Sequence, residues 1–155
     1  METSVLLKAF CSAVERRDGK AFAALFTPDG VYHDVFYGAF QGPEKIAEMI
    51  DEWFYRSARE LRWEMFRPVT DGKTLYAYYT FSYISTLPEA QGRRVGFEGV
   101  SMMSLRDGKI AEYREVANVG PGFVQMGFAP ERIAKILKRE GEHLKKHPAW
   151  ARHLA

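Results

Sequence analysis

One cysteine, Cys11, stands in a chain of 155 residues. No disulfide can close within it, a cysteine-based zinc site lacks its ligands, and the fold has to be held by packing. An excess of charge is missing too. Lys and Arg number 22 against 20 Asp and Glu, for a formal net charge of +2, so the chain as a whole carries no electrostatic footprint for nucleic acid. Long apolar runs are absent: the best are cut by Lys8, Glu15 or Arg106. Neither a membrane-spanning helix nor the apolar centre of a secretory leader is visible, and the expectation is a cytoplasmic protein with no membrane partner. The sequence has no glycine-rich phosphate loop followed by Lys, no Gly-x-Ser-x-Gly elbow and no His-Glu-x-x-His helix. Nucleotide, serine-hydrolase and zinc-protease chemistry drop out, and neither a metal nor a cofactor is expected.

What is present suits one compact domain with a real core: 46% apolar, 27% charged and 14% aromatic residues. From Thr3 to Arg17, Leu6, Phe10, Ala13 and Val14 recur on one face of a helix. Asp18 can cap a shorter helix carrying Phe22, Leu25 and Phe26, ended by the breaker Thr27-Pro28-Asp29-Gly30. Val31 to Phe36 reads as a short strand with Tyr32 and Asp34 on one face and His33 on the other. Gly42-Pro43 opens a third helix with a wide apolar stripe of Ile46, Met49, Ile50, Trp53 and Phe54.

After Ser57, strands are predicted at about 60–69, 73–85, 93–106 and 109–117, turning at Asp71-Gly72 and Asp107-Gly108 as antiparallel neighbours. A strand over 93–106 would run ~46 Å, so Gly96 and Gly99 are expected to mark a bend. Gly120-Pro121-Gly122 breaks the last strand, and Pro130 begins a final helix with Ile133, Ile136 and Leu137 on one side. Its region, 131–153, holds seven Lys or Arg against three Glu, read as a solvated face. This order predicts an α+β fold in which helices cover one side of a curled antiparallel sheet, a cone with an internal apolar pocket. Residues 1–155 form a single domain, with 129–148 as a C-terminal helical extension.

The run Leu25-Phe26-Thr27-Pro28-Asp29-Gly30-Val31-Tyr32-His33-Asp34, followed by Gly42-Pro43-Glu44-Lys45-Ile46, resembles the front half of nuclear transport factor 2-like proteins of the SnoaL-like branch. Phe97-Glu98-Gly99-Val100, Asp107 to Glu115 and Gln125-Met126-Gly127-Phe128 are similar to that branch's closing hairpin and tail. The resemblance implies the cone fold, dimerisation through the outer face of the sheet, and a range of activities from polyketide cyclase and ketosteroid isomerase to epoxide hydrolase, dehydratase and plain binding module. Fold does not choose among them.

In the ketosteroid isomerases the carboxylate that moves the substrate proton stands where Asp34 stands. Phe10 occupies the place of their oxyanion-holding tyrosine, and Ser101, within one register step, that of their protonated aspartic acid, so that oxyanion hole is missing here. In limonene-epoxide-hydrolase-like proteins a tyrosine and an asparagine hold a water for an aspartate base. Tyr32 and Asp34 match the pair in place and Glu115 matches the base, while that family's Arg-x-Asp is absent from Thr74 to Tyr83. SnoaL-like cyclases use an acid on the last strands, again Glu115.

The expected catalytic set is therefore Asp34 as general base or acid, Tyr32 as the orienting hydroxyl and Glu115 as the second carboxylate. Trp53, Trp63 and Tyr78 are expected as apolar walls, with Glu98 as a pocket acid or a partner of Arg94, and Asn118 at the cavity mouth or merely at a strand end. The plain alternative for Asp34 is a surface carboxylate, and for Glu115 a cross-strand partner of Arg. His33 is expected outside, without an Asp-His dyad, and Cys11 as a core residue. The expected activity is cofactor-independent proton transfer on a small hydrophobic oxygenated ring compound, and the alternative is a non-catalytic small-molecule-binding or dimerisation module.

Overall fold

The computed structural model describes residues 2–155. Helix α1, Thr3–Glu15, buries Leu6, Leu7, Phe10, Cys11, Ala13 and Val14. Asp18 caps α2, Gly19–Ala23, by accepting the backbone N–H of Ala21 at 2.9 Å. That helix ends before Leu25, and Thr27-Pro28-Asp29-Gly30 lies inside strand β1, Phe26–Asp34, instead of breaking the chain. The ladder absorbs the proline: β1 pairs with β6 through Phe26↔Ile110 and Val31↔Glu112, and the register slips between the two. A bulge of this kind is where a strand tolerates Pro.

A short strand that the sequence pattern did not announce, β2 (Gly38–Gln41), pairs antiparallel with β1. Helix α3, Gly42–Glu48, carries Pro43 in its first turn and continues as a wider π-type turn over Met49–Trp53. Then come β3 (Ala58–Thr70), β4 (Thr74–Ser85), β5 (Arg94–Arg106) and β6 (Lys109–Asn118). The sheet order is β2-β1-β6-β5-β4-β3, antiparallel throughout except for the parallel β1–β6 pair.

The curl arises at a different place from the one expected. β4 and β5 pair without a register break from Thr74↔Ser104 to Ile84↔Arg94, past both glycines. The register shifts lie in β3, at Glu60 and Arg67, whose φ angles of 50° and 51° place them in the left-handed region. Bulges there bend and twist the long strand. Gly99 serves a different end: a Cβ on it would stand 2.7 Å from the hydroxyl of Tyr79 and 2.5 Å from the Val116 carbonyl.

Inside the curl, Phe10 of α1 meets Trp63 edge-on at 5.2 Å and stacks on Tyr113 at 5.3 Å. Helix α4, Gly120–Gln125, and helix α5, Pro130–Lys146, close the far end. Ile133 and Ile136 of α5 cover a second small core of Val95, Phe123 and Met126. Leu137, expected on the same side, is exposed, and α5 buries no residue fully. None of the described helices is long and apolar enough to cross a membrane.

Candidate active site

Between the helices and the concave side of the sheet lies a cavity of about 70 Å³. Its walls are aromatic: Tyr32, Phe36, Tyr37, Phe54, Trp63, Tyr79, Phe81, Tyr83 and Phe97, with Ser57 and Ala58 completing them and Asp34 and Glu115 as the two carboxyl side chains of the lining. Among the described residues no three His, Cys, Asp or Glu side chains converge as a metal would require.

Asp34 ends β1, and the turn that follows folds back over it. Its Oδ1 accepts the backbone N–H groups of Phe36 at 2.8 Å and Tyr37 at 2.9 Å, an Asx turn that fixes the carboxylate and leaves its second oxygen for the cavity. The same bonds hold Phe36 across the mouth, edge-on to Phe97 and Phe123. Burial pushes the Asp34 carboxyl up to about 6, against the pull of the two N–H donors.

Glu115 projects inward from β6. Its Oε2 accepts the Tyr79 hydroxyl at 2.5 Å and the Tyr113 hydroxyl at 3.3 Å, and Ser101 meets Tyr113 Oη at 2.9 Å. Burial raises the Glu115 carboxyl to about 7; the Tyr79 bond opposes the rise and the nearby Asp34 charge adds to it. Tyr32 lies fully buried and stacked on Tyr113, ring centroids 4.3 Å apart. Burial also holds the Tyr32 and Tyr113 hydroxyls well above their usual range. A pair of carboxyls held near neutrality in one aromatic chamber can keep one proton between them, one group acid and one base.

Of the residues singled out in the sequence, Asp34, Tyr32, Glu115 and Trp63 line this cavity. Tyr78 and Glu98 do not. The alternation of β4 turns Ala77 and Tyr79 inward and Tyr76 and Tyr78 outward; the Tyr78 hydroxyl donates to Glu98 at 2.5 Å on the outer face. Asn118 is exposed, opposite Glu98 in the register, so it does not reach the mouth. Arg94 pairs with Glu60, not Glu98. Trp53 stands behind the wall, against Tyr37 and Phe40, with its indole N–H on Glu48 at 3.3 Å. His33 faces away and meets Glu112 at 3.0 Å. Phe10 and Ser101 are both fully buried.

Tyr79, Tyr113 and the Phe36–Tyr37 turn complete the site without having been singled out as part of it. A signal for the first was available: Tyr79 faces Gly99 across the ladder, a pairing in which the ring lies over the missing side chain. Tyr113 shares the inward face of β6 with Glu115, two residues on.

Residues 7–113 match the SnoaL-like domain family, and the chain belongs to that family. No curated protein matches the chain in sequence. Among solved structures it is similar to a hypothetical protein with a ketosteroid isomerase-like fold from Catenulispora acidiphila, in complex with trimethylamine. That likeness has a TM-score of 0.74 at 15% identity and covers 84% of this chain and 98% of that one. It is also similar to an LEH-like epoxide hydrolase of M. tuberculosis (TM-score 0.63, 20% identity, 79% and 86% covered). A third similar structure is TerC co-crystallized with polyporic acid (TM-score 0.67, 15% identity, 81% and 98% covered). At such identities the likeness is one of fold: the NTF2-like cone.

Proposed function

We propose that the protein is a cofactor-independent enzyme that moves a proton on a small, hydrophobic, oxygenated ring compound, in a cyclase, isomerase, dehydratase or hydrolase reaction. The observation that carries this is the meeting of two carboxyls from distant stretches in one aromatic chamber, held up to about 6 and about 7. At neutral pH Asp34 is mostly ionised and serves as base. Glu115 keeps a share of its proton and serves as acid, and Tyr32 orients the substrate. Family membership and the small molecules held by two proteins of the same fold support a ligand in this chamber.

Once a substrate is found by screening phenolic and polyketide-like compounds, Asp34→Asn and Glu115→Gln are each expected to lower turnover by ~10²- to 10⁴-fold while leaving ligand binding in place. The pH profile should be bell-shaped, its limbs near 6 and 7. Full activity in either variant would remove that residue from the mechanism, and full activity in both would leave the non-catalytic binding module.

The partner we propose is a second copy across the sheet. Phe66, Tyr78, Val100 and Val116 lie abreast on β3, β4, β5 and β6 and are 40%, 38%, 39% and 68% exposed, an apolar row of the kind that marks an interface. Val100→Lys is expected to turn a dimer into a monomer in light scattering; a wild-type chain already monomeric at high concentration would refute the proposal.

A further inference from the structure

The chamber carries negative charge with nothing on its walls to answer it. Asp34 takes its two N–H donors on Oδ1, and Glu115 takes its two tyrosine hydroxyls on Oε2. The other oxygen of each, Asp34 Oδ2 and Glu115 Oε1, accepts no hydrogen bond among the described residues. The lining holds no Lys, Arg or His. The two carboxyls are close enough for the charge of Asp34 to raise the proton affinity of Glu115. One shared proton leaves the pair with one negative charge, and a charge withdrawn from bulk water calls for a partner.

The walls narrow what that partner is. The rings of Tyr32, Phe54, Trp63, Tyr79, Phe81 and Phe97 share the lining with the two carboxyls. Aromatic faces attract an organic cation, whereas a hard metal ion takes its ligands from oxygen and water. An ammonium group meets both demands: its N–H groups suit the free oxygens in charge-assisted hydrogen bonds, and its carbon frame suits the rings. A space of about 70 Å³ lies far below the ~300 Å³ and more of pockets that hold drug-sized molecules, so the frame is one small ring.

We propose that the chamber binds a single-ring substrate carrying a protonated amine, with the ammonium set against the free oxygens of Asp34 and Glu115 and the ring among the aromatic walls. This names the substrate class of the proton-transfer reading and rests on it. The charges balance, since two carboxylates, the proton they share and one ammonium sum to zero. A carboxylate oxygen has two lone pairs, so Asp34 can hold the amine and still act as base. The affinity follows the protonation of the pair. With Asp34 held up to about 6 and Glu115 to about 7, the pair is largely neutral at pH 5 and ionised at pH 8. The other titratable groups on the lining are Tyr32 of β1, Tyr37 of the turn, and Tyr79 and Tyr83 of β4. Burial raises all four, and Tyr113 beside Glu115 with them, so they stay neutral across that range.

The test compares cyclopentylamine, which keeps its proton at both pH values, with cyclopentanol, which matches it in shape and is neutral, by calorimetric titration of the full chain. At pH 8 the wild type is expected to prefer the amine by about tenfold, and at pH 5 the two should bind within about twofold of each other. The double variant Asp34→Asn with Glu115→Gln, which keeps both shapes and removes both charges, should show no preference at pH 8. Equal binding of the two probes by the wild type at pH 8, or no binding of the amine, overturns the proposal. So does a preference that survives at pH 5 or in the double variant, because the amine then sits elsewhere. The pH comparison uses the wild type alone and decides the matter even where the variant fails to fold. The two readings fail separately. An amine preference of the expected pH dependence, with full turnover in Asp34→Asn, sinks only the proton transfer; a missing preference, with turnover lost in Asp34→Asn, sinks only the amine.

Discussion

Exchanging Asp34 for Asn or Glu115 for Gln is expected to stabilise the protein at pH 8, by about 3 kcal/mol for either change alone, because each buried carboxyl must give up at that pH a proton that the fold favours. In the unfolded chain both carboxyls titrate near 4; in the fold burial holds them at about 6 and about 7. Between those limits the native state keeps protons that the unfolded state has released. The contribution of these groups to stability is therefore greatest below about pH 4 and falls as the pH rises through about 7. The amides keep what the carboxylates accept, the N–H groups of Phe36 and Tyr37 at one site and the Tyr79 hydroxyl at the other, and remove only the charge. Because the two groups feel each other, the double variant should gain less than the sum. Urea denaturation at pH 4.5 and pH 8 checks this: the gap between variant and wild type should open with pH, and a gap that stays constant would mean the carboxyls are solvated.

The second large effect is expected at Gly99. An alanine there sets its Cβ 2.5 Å from the Val116 carbonyl and 2.7 Å from Tyr79 Oη, and neither is a loose side-chain end: one is β6 backbone and the other a fully buried ring. Either β5 separates from β6 or Tyr79 leaves Glu115. Gly99→Ala should lose about 2–3 kcal/mol, and Glu115, deprived of a hydrogen bond that lowers its pKa, should titrate above about 7. Tyr79→Phe should raise the Glu115 titration in the same direction with a smaller loss of stability, about 1 kcal/mol. Carboxyl ¹³C shifts followed against pH read both. An unmoved Glu115 in the two variants would mean that the Tyr79 bond does not hold this carboxylate.

Much of this was legible because it is local. Alternation and the two Asp-Gly turns mark out β3 to β6, and on β1 the step of two between Tyr32 and Asp34 settles which face each takes and turns His33 away. The errors share a physical origin. In Tyr78-Tyr79 two identical side chains stand next to each other, and which one faces inward is a question of parity that reverses with a one-residue change in register. The register is set by cross-strand partners far away in sequence. Thr27-Pro28-Asp29-Gly30 carries the composition of a break, yet a parallel neighbour, Ile110 to Glu112, draws it into the sheet as a bulge. The four residues Gly38–Gln41 are too few to show a period. The raised proton affinities of Asp34 and Glu115 follow from how the chain closes over them, which no short window contains.

The turn after β1 makes the chamber's door and its acid a single part. Phe36 and Tyr37 can swing clear of the mouth only by withdrawing their two N–H groups from Asp34, and those donors hold its pKa down. Opening also lets water reach Asp34 and relieves the burial that raises its pKa most, so the open turn favours the ionised carboxylate, and by reciprocity a proton arriving there favours the closed one. A guest that needs the wider doorway will be admitted as hydrogen ion is given up, so its rate of admission should climb as the solution becomes more alkaline.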